Sequence, residues 1–442
     1  MNSDEIQCRK ETQIGTIPND WDVVLLENSL SFLTDGSHFS PKEDVNSIYY
    51  IASVKDLCEF NIKISKCKRI RKKDYDDLVR SGCKPEKEDV LFSKDGTMGI
   101  CFVYKQNEPV VLLSSIAILR PNKEFDSYFL KQYFTNKRTL DMIISGHSSG
   151  SALPRLTLTD LKKIPVVKPS IKEQVKIGNI LSNFDSTIEL NHRMNQTLES
   201  IVQTIFKHWF LDFEFPDENG QPYKSGGGEM VDSEFGNIPK DWKYTRLGDT
   251  LSTLESGSRP KGGATSSGVP SIGAENIIGL GNYEYSSTKY IPIDYYKNMK
   301  SGKVQEFDVL LYKDGAQIGR KSMFALGFPF EEFCVNEHVF ILRSSEVLNQ
   351  YYLYFWLDLP YITEAIVNLN ANSAQPGINR QGVGSIPVLI PKNAVVEKFG
   401  ILVDPLVRLI FLNSKESHKI TDIRDILLPK LMSGKIRIPM EG

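Results

Sequence analysis

The sequence predicts a mixed α/β (α+β) fold: two tandem globular domains and two long helices in an antiparallel coiled coil, an internal repeat with pseudo-two-fold symmetry. Three observations predict it. IGTIPNDW (14–21) returns as FGNIPKDW (235–242). Later segments return at nearly the same spacing, and each copy ends in a heptad-patterned stretch.

The chain of 442 residues exceeds what a single core usually fills, and its 40% hydrophobic and 24% charged residues are ordinary for a globular protein. EDVLFSKDGTMG (88–99) answers EFDVLLYKDGAQIG (306–319), and SIAILRP (115–121) answers EHVFILRS (337–344). SYFLKQYF (127–134) answers QYYLYFWL (350–357), and KKIPVVKPS (162–170) answers GSIPVLIPK (384–392). Offsets drifting around 222 are what loop insertions produce between two copies of one fold. Runs such as DVLFS and HVFIL, rich in Val, Ile and Phe between Gly and Asp turns, predict strands; SYFLKQYFTNKRTLDMII and NQYYLYFWLDL predict helices.

After the first domain, apolar residues alternate at three and four: Ile177, Leu181, Phe184, Ile188, Leu198, Val202, Ile205 and Trp209, interrupted by Asn191 and Asn195. Adding 222 gives Phe399, Val403, Leu406, Ile410, Asn413, Ser417, Ile420, Arg424, Leu427 and Leu431. A stripe this narrow predicts that the helices pair with each other rather than lie on a domain core, with the seam asparagines penalising slipped registers. Pro405 predicts a kink or a late start, and so a shorter second seam. The expected divisions are 1–169, a first domain; 170–212, a first helix; 213–391, an acidic linker and second domain; and 392–442, a second helix and tail. The linker, 211–236, reads as a solvated crossover.

The formal charge of −2 says nothing about partners, since a balanced total can hide a basic face. NIKISKCKRIRKK (61–73) gathers Lys63, Lys66, Lys68, Arg69, Arg71, Lys72 and Lys73 without an acid, the pattern of a phosphate footprint. The second domain offers Arg259 and Lys261 in ESGSRPKGG, and Arg320 and Lys321 in GRKSMF, for phosphates or guanine edges. Lys94 and Lys313 sit in the two KDG segments, which read first as tight hairpins and second as DNA-facing turns. Arg155 and Arg380 lie in late loops of their domains, at positions that do not align.

The six cysteines form no CxxC pair and the six histidines no HxxxH pair, so no metal site is expected. No signal peptide or membrane span is visible, and a cytoplasmic protein without a membrane partner is expected. No adenine-methyltransferase motif and no GxxxxGK[ST] loop occurs, so any catalysis is expected from partners.

The IP..W openings, the DVLFSKDGTMG strand and turn, IFKHWFLDFEFPDENGQPYKSGGGEMVDSEFGNIPKDW (205–242) and LLPKLMSGKIRIP (427–439) together resemble the specificity subunits of type I restriction-modification enzymes, the HsdS family. The resemblance implies two target-recognition domains, each reading half of a split double-stranded DNA sequence. It implies two methyltransferase subunits using S-adenosylmethionine to methylate adenine N6 and, in a full system, two restriction/translocase subunits using ATP and Mg. No cofactor is expected on this chain. The competing readings are a coiled-coil scaffold that binds only proteins and a self-sufficient DNA-modifying enzyme.

Overall fold

A computed structural model describes residues 9–147, 156–372 and 377–439. The chain divides into two compact units, 1–189 with 419–442 and 190–418, so each unit takes part of each long helix.

Unit 1 opens with the hairpin β1 (Arg9–Thr12) and β2 (Gly15–Pro18), whose Ile-Pro leads to the fully buried Trp21. There follow β3 (Asp22–Leu25), β4 (Leu30–Asp35), β5 (Tyr49–Ala52), β6 (Lys68–Ile70), α1 (Lys72–Arg80), β7 (Val90–Ser93), β8 (Cys101–Val103), β9 (Val110–Leu112) and β10 (Ile116–Pro121). The unit continues through α2 (Ser127–Thr135), α3 (Lys137–His147), α4 (Leu158–Lys162), β11 (Pro165–Lys168) and the first part of α5 (Ile171–Phe210). Among the described residues the sheets are β4-β10-β7-β8, β6-β5-β9 and β11-β3.

The apolar runs in β7, β8 and β10 are continuous because both faces of the first sheet are covered. Val90, Phe92 and Leu119 share a core with Phe129, Tyr133 and Phe134 of α2. Leu91, Phe102 and Ile118 instead meet Ala52 of β5 and Val110 and Leu112 of β9. At the sheet's end the buried Asp89 receives Arg120 through two hydrogen bonds of 2.7 and 2.9 Å.

Unit 2 repeats this plan. It holds β12 (Met230–Val231), β13 (Ile238–Pro239), β14 (Lys243–Arg246), β15 (Leu251–Ser256), β16 (Val269–Ile272), β17 (Lys289–Ile291), α6 (Ile293–Asn298), β18 (Val309–Tyr312), β19 (Lys321–Met323), β20 (Cys334–Val335) and β21 (Val339–Ser344). Then come α7 (Gln350–Asp358), α8 (Pro360–Asn368), α9 (Arg380–Gly384), β22 (Pro387–Ile390) and α10 (Asn393–Met432). Its sheets, β15-β21-β18-β19, β17-β16-β20 and β14-β22, match those of unit 1 strand for strand, including the antiparallel and parallel neighbours of the central β5 and β16. The Asp89–Arg120 pair returns as Asp308–Arg343, at 2.7 and 2.6 Å. Gly36 and Gly257 also correspond: an added Cβ would lie 2.1 Å from the Leu112 carbonyl oxygen and 1.6 Å from that of Val335, so no side chain fits either place.

The helices pair within each unit. In unit 1, Ile177 and Leu181 of α5 share a core with Leu428, Leu431 and Met432 of α10, and Asp185 meets Arg424 at 2.9 Å. In unit 2, Asn191 donates to Glu416 at 3.0 Å, Asn413 donates to Asn195 at 3.0 Å, and the rings of Phe206 and Phe399 lie 5.6 Å apart. As α5 advances its partners recede, which makes the pairing antiparallel. The seam positions are buried or half-buried throughout.

Three expectations need correction. The stripe is wider than the seam: Phe206, Phe210, Val407 and Phe411 are buried in the unit 2 core, so the helices pack on a domain as well as on each other. Pro405 is exposed and delays nothing, since α10 and α5 both span 40 residues. The linker is not wholly solvated. Phe215 is buried and stacks on Trp242 at 4.9 Å and on Tyr223 at 4.6 Å. At the corresponding place in unit 1, Arg437 lies over Trp21 and binds Glu173, which accepts the Trp21 indole N–H at 3.0 Å.

Candidate nucleic-acid interface

In unit 1 the basic stretch forms a short turn, the strand β6 and the start of α1. Lys63, Lys66 and Lys73 are exposed and make no ion pair among the described residues. The other four are engaged. Lys68 donates to Ser40 Oγ at 3.2 Å and to the Pro41 carbonyl, and Arg69 donates to the Val45 carbonyl at 2.8 Å with its guanidinium 6.0 Å from the Tyr50 ring. Arg71 pairs with Asp74 and Lys72 with Asp76, each at 2.8 Å. The acids of KKDYDD, just beyond the acid-free block, thus neutralise its end.

The KDG segments connect hairpin strands, β7 to β8 and β18 to β19, by residues 94–100 and 313–320; these loops are longer than the tight turns expected. Lys94 is a correction. It is 2% exposed and its ammonium lies 3.0 Å from Asp35, so it offers no charge to a phosphate in this conformation. Lys321 is a second correction. Also buried, it pairs with Asp358 at 3.2 Å and donates to Thr363 at 2.8 Å, while desolvation lowers its pKa. Arg155 lies outside the described residues.

In unit 2, Arg259, Lys261, Arg320 and Arg380 are exposed, and Lys313 is half-buried with its ammonium 4.9 Å from the Phe340 ring. Arg259 starts a connected polar line. It pairs with Glu337 at 2.9 Å, Glu337 lies 3.2 Å from His338 Nε2, and His338 Nδ1 lies 2.8 Å from Asp314 of the KDG segment. The loop after β15, the β18–β19 loop and the turn before β21 therefore bring one half-exposed set of donors and acceptors together. Such groups can read base edges.

The sequence reading missed this line because its members are scattered from 259 to 338. It also missed a contrast between the copies. Where β6, α1 and the residue joining them carry Lys68, Arg69, Arg71, Lys72 and Lys73, β17 and α6 carry Lys289, Tyr290, Tyr295 and Tyr296, with Lys289 paired to Glu275 at 2.7 Å. The aromatic spacing in YEYSSTKYIPIDYY was the available signal.

Nothing metal-like accompanies these groups: among the described residues no three His, Cys, Asp or Glu side chains cluster to hold an ion, and the five described cysteines are free thiols. No helix of the described residues is long and apolar enough to cross a membrane.

A family model described as the type I restriction modification DNA specificity domain matches residues 61–200. The MjaIX specificity subunit of Methanocaldococcus jannaschii is 29% identical over 439 residues, covering 97% of this chain and 96% of that one. The HindI specificity subunit of Haemophilus influenzae is 22% identical over 467 residues, covering 90% and 97%. Among solved structures, the S subunit of a type I restriction-modification system from M. genitalium shares the fold, with a TM-score of 0.54 at 16% identity over 95% of this chain and 97% of that one. With its repeated domains, its paired 40-residue helices and relatives along nearly its whole length, the chain is similar to the specificity subunits of type I restriction-modification enzymes, the non-catalytic part of such a complex.

Proposed function

We propose that each domain binds one half of a bipartite double-stranded DNA target, and that the paired helices set the unread gap between the halves. The observation that carries this reading is the strand-for-strand repetition of one domain plan on two different surfaces. Equal scaffolds with unequal loops suit two half-sites of different sequence. Lys63, Lys66 and Lys73 serve as phosphate contacts in the first domain, and Lys261, Arg320 and Arg380 in the second. The line from Arg259 to Asp314 serves base readout.

The helices also carry docking positions. Ile180 and Leu402, Leu190 and Leu412, and Ile201 and Ile423 are corresponding pairs 222 apart, and all are exposed, at 38 to 51%. Apolar side chains repeated at matched solvent-facing positions suit two copies of one partner. We assign them to two methyltransferase subunits that bring S-adenosylmethionine; restriction/translocase subunits bring ATP and Mg where the system is complete. A map of modified adenines in host DNA with and without this gene tests the reading. A split motif that vanishes with the gene supports it, and an unaltered map overturns it.

A further inference from the structure

Along the helix pair the two copies differ sharply at one crossing. In unit 1, Asp185 of α5 accepts from Arg424 of α10 at 2.9 Å, from Lys131 at 2.7 Å and from Gln132 at 2.6 Å, and it is 7% exposed. At the corresponding positions of unit 2 stand Val407 for Asp185 and Val202 for Arg424, both 0% exposed, with Tyr354 and Phe355 for Lys131 and Gln132. Val202 and Val407 are buried together in the unit 2 core, at the positions that the offset of 222 relates to Arg424 and Asp185. One copy makes the crossing with charge and the other with hydrocarbon.

Because α5 and α10 are versions of one helix, α5 also has the shape to pair with the α5 of a second chain, and α10 with a second α10. The seam asparagines do not oppose this, since a pair of α5 helices sets Asn191 against Asn195, amide to amide. The charged crossing does. A pair of α5 helices sets Asp185 against Val202: Lys131 and Gln132 still hold one carboxylate oxygen, and the other loses its donor. A pair of α10 helices sets the Arg424 guanidinium against Val407, where the buried carboxylate is lost and only the exposed Asp425 of its own helix, 3.0 Å away, stays with it. A buried charge that loses its partner is heavily penalised, whereas an apolar crossing tolerates either neighbour.

We propose that the Asp185–Arg424 pair chooses the partner helix: it makes α5 accept α10 and reject a second copy of itself, so the chain closes on itself instead of exchanging helices with a neighbour.

The test refolds the full chain from denaturant at rising concentration and measures the dimer share by size-exclusion chromatography with light scattering. K131M/D185V/R424V removes the three charges of the unit 1 crossing and strands no ammonium, leaving Gln132 as the one polar group there. It is expected to yield a dimer share several-fold above the unsubstituted chain, rising with concentration. V202R works from the other side, because the introduced guanidinium faces Val407 within one chain but Asp185 in a pair of α5 helices. It is expected to dimerise, and V202R/V407D to return to the unsubstituted share. Equal dimer shares for the triple variant and the unsubstituted chain at every concentration would overturn the proposal, as would V202R dimerising no more than V202R/V407D. Should the triple variant not refold, the V202R comparison decides.

Discussion

Asn195 and Asn413 face each other in the helix pair of unit 2, the Asn413 amide donating to Asn195 Oδ1 at 3.0 Å while Asn195 donates to Ser414 Oγ at 2.9 Å. Removing one side strands the other. Asn413→Ala is expected to cost about 1–2 kcal/mol, whereas Asn195→Leu with Asn413→Leu is expected to be neutral or stabilising, since replacing both partners leaves less unsatisfied. Denaturant unfolding of the three chains checks this.

The exposed and buried lysines are expected to part in a salt titration of DNA binding. Each of Lys63→Ala, Lys66→Ala and Lys73→Ala should flatten the dependence of log K on log salt by about 0.9 for each phosphate no longer neutralised. Lys94→Met should leave that slope alone and instead cost about 3 kcal/mol of stability, because Asp35 loses its buried partner. A reduced slope for Lys94→Met would show that this lysine leaves its pocket on DNA.

Leu190→Asp and Leu412→Asp place a charge at corresponding exposed helix positions. Each alone is expected to reduce the bound methyltransferase subunits from two to one, and both together to none. Native mass spectrometry of the complex reads the stoichiometry. Unchanged binding in the double variant would remove these positions from the docking surface.

Burial pushes the Glu199 carboxyl of α5 up to about 7, and the nearby Asp358 charge adds to the shift. The folded chain therefore holds this proton where the unfolded chain has released it. The resulting stability is fully present below pH 4.5, the group's ordinary value, and is lost as pH rises through 7. Partial exposure reduces the effect to on the order of 1–2 kcal/mol. Between pH 5 and pH 8 the unsubstituted chain should lose that much more unfolding free energy than Glu199→Gln, by urea denaturation at each pH.

What the sequence showed and what it hid follow from the range of the interactions. The repeat and the seam rest on periodicity, which a chain displays along itself: Ile177, Leu181, Val202 and Val403 are buried as their spacing requires. The partners of charges are not displayed that way. Lys94 finds Asp35, and Arg424, an off-pattern residue in the seam, finds Asp185, 239 positions earlier. Lys321 reads as a free cation beside Arg320 until α7 and α8 bring Asp358 and Thr363 to it. A local run predicts charge density but not which charges stay available to DNA. The Arg259–Glu337–His338–Asp314 line has no local signature, since three separate loops supply it.

The central claim is that the helix pair measures the gap between two half-sites. Four residues inserted into α5 lengthen it by about 6 Å at 1.5 Å per residue, against about 3.4 Å per base-pair step. Mapping methylated adenines by single-molecule sequencing is expected to show both half-sites unchanged and the gap altered by one or two base pairs. Full methylation of the original motif at its original gap would contradict the account.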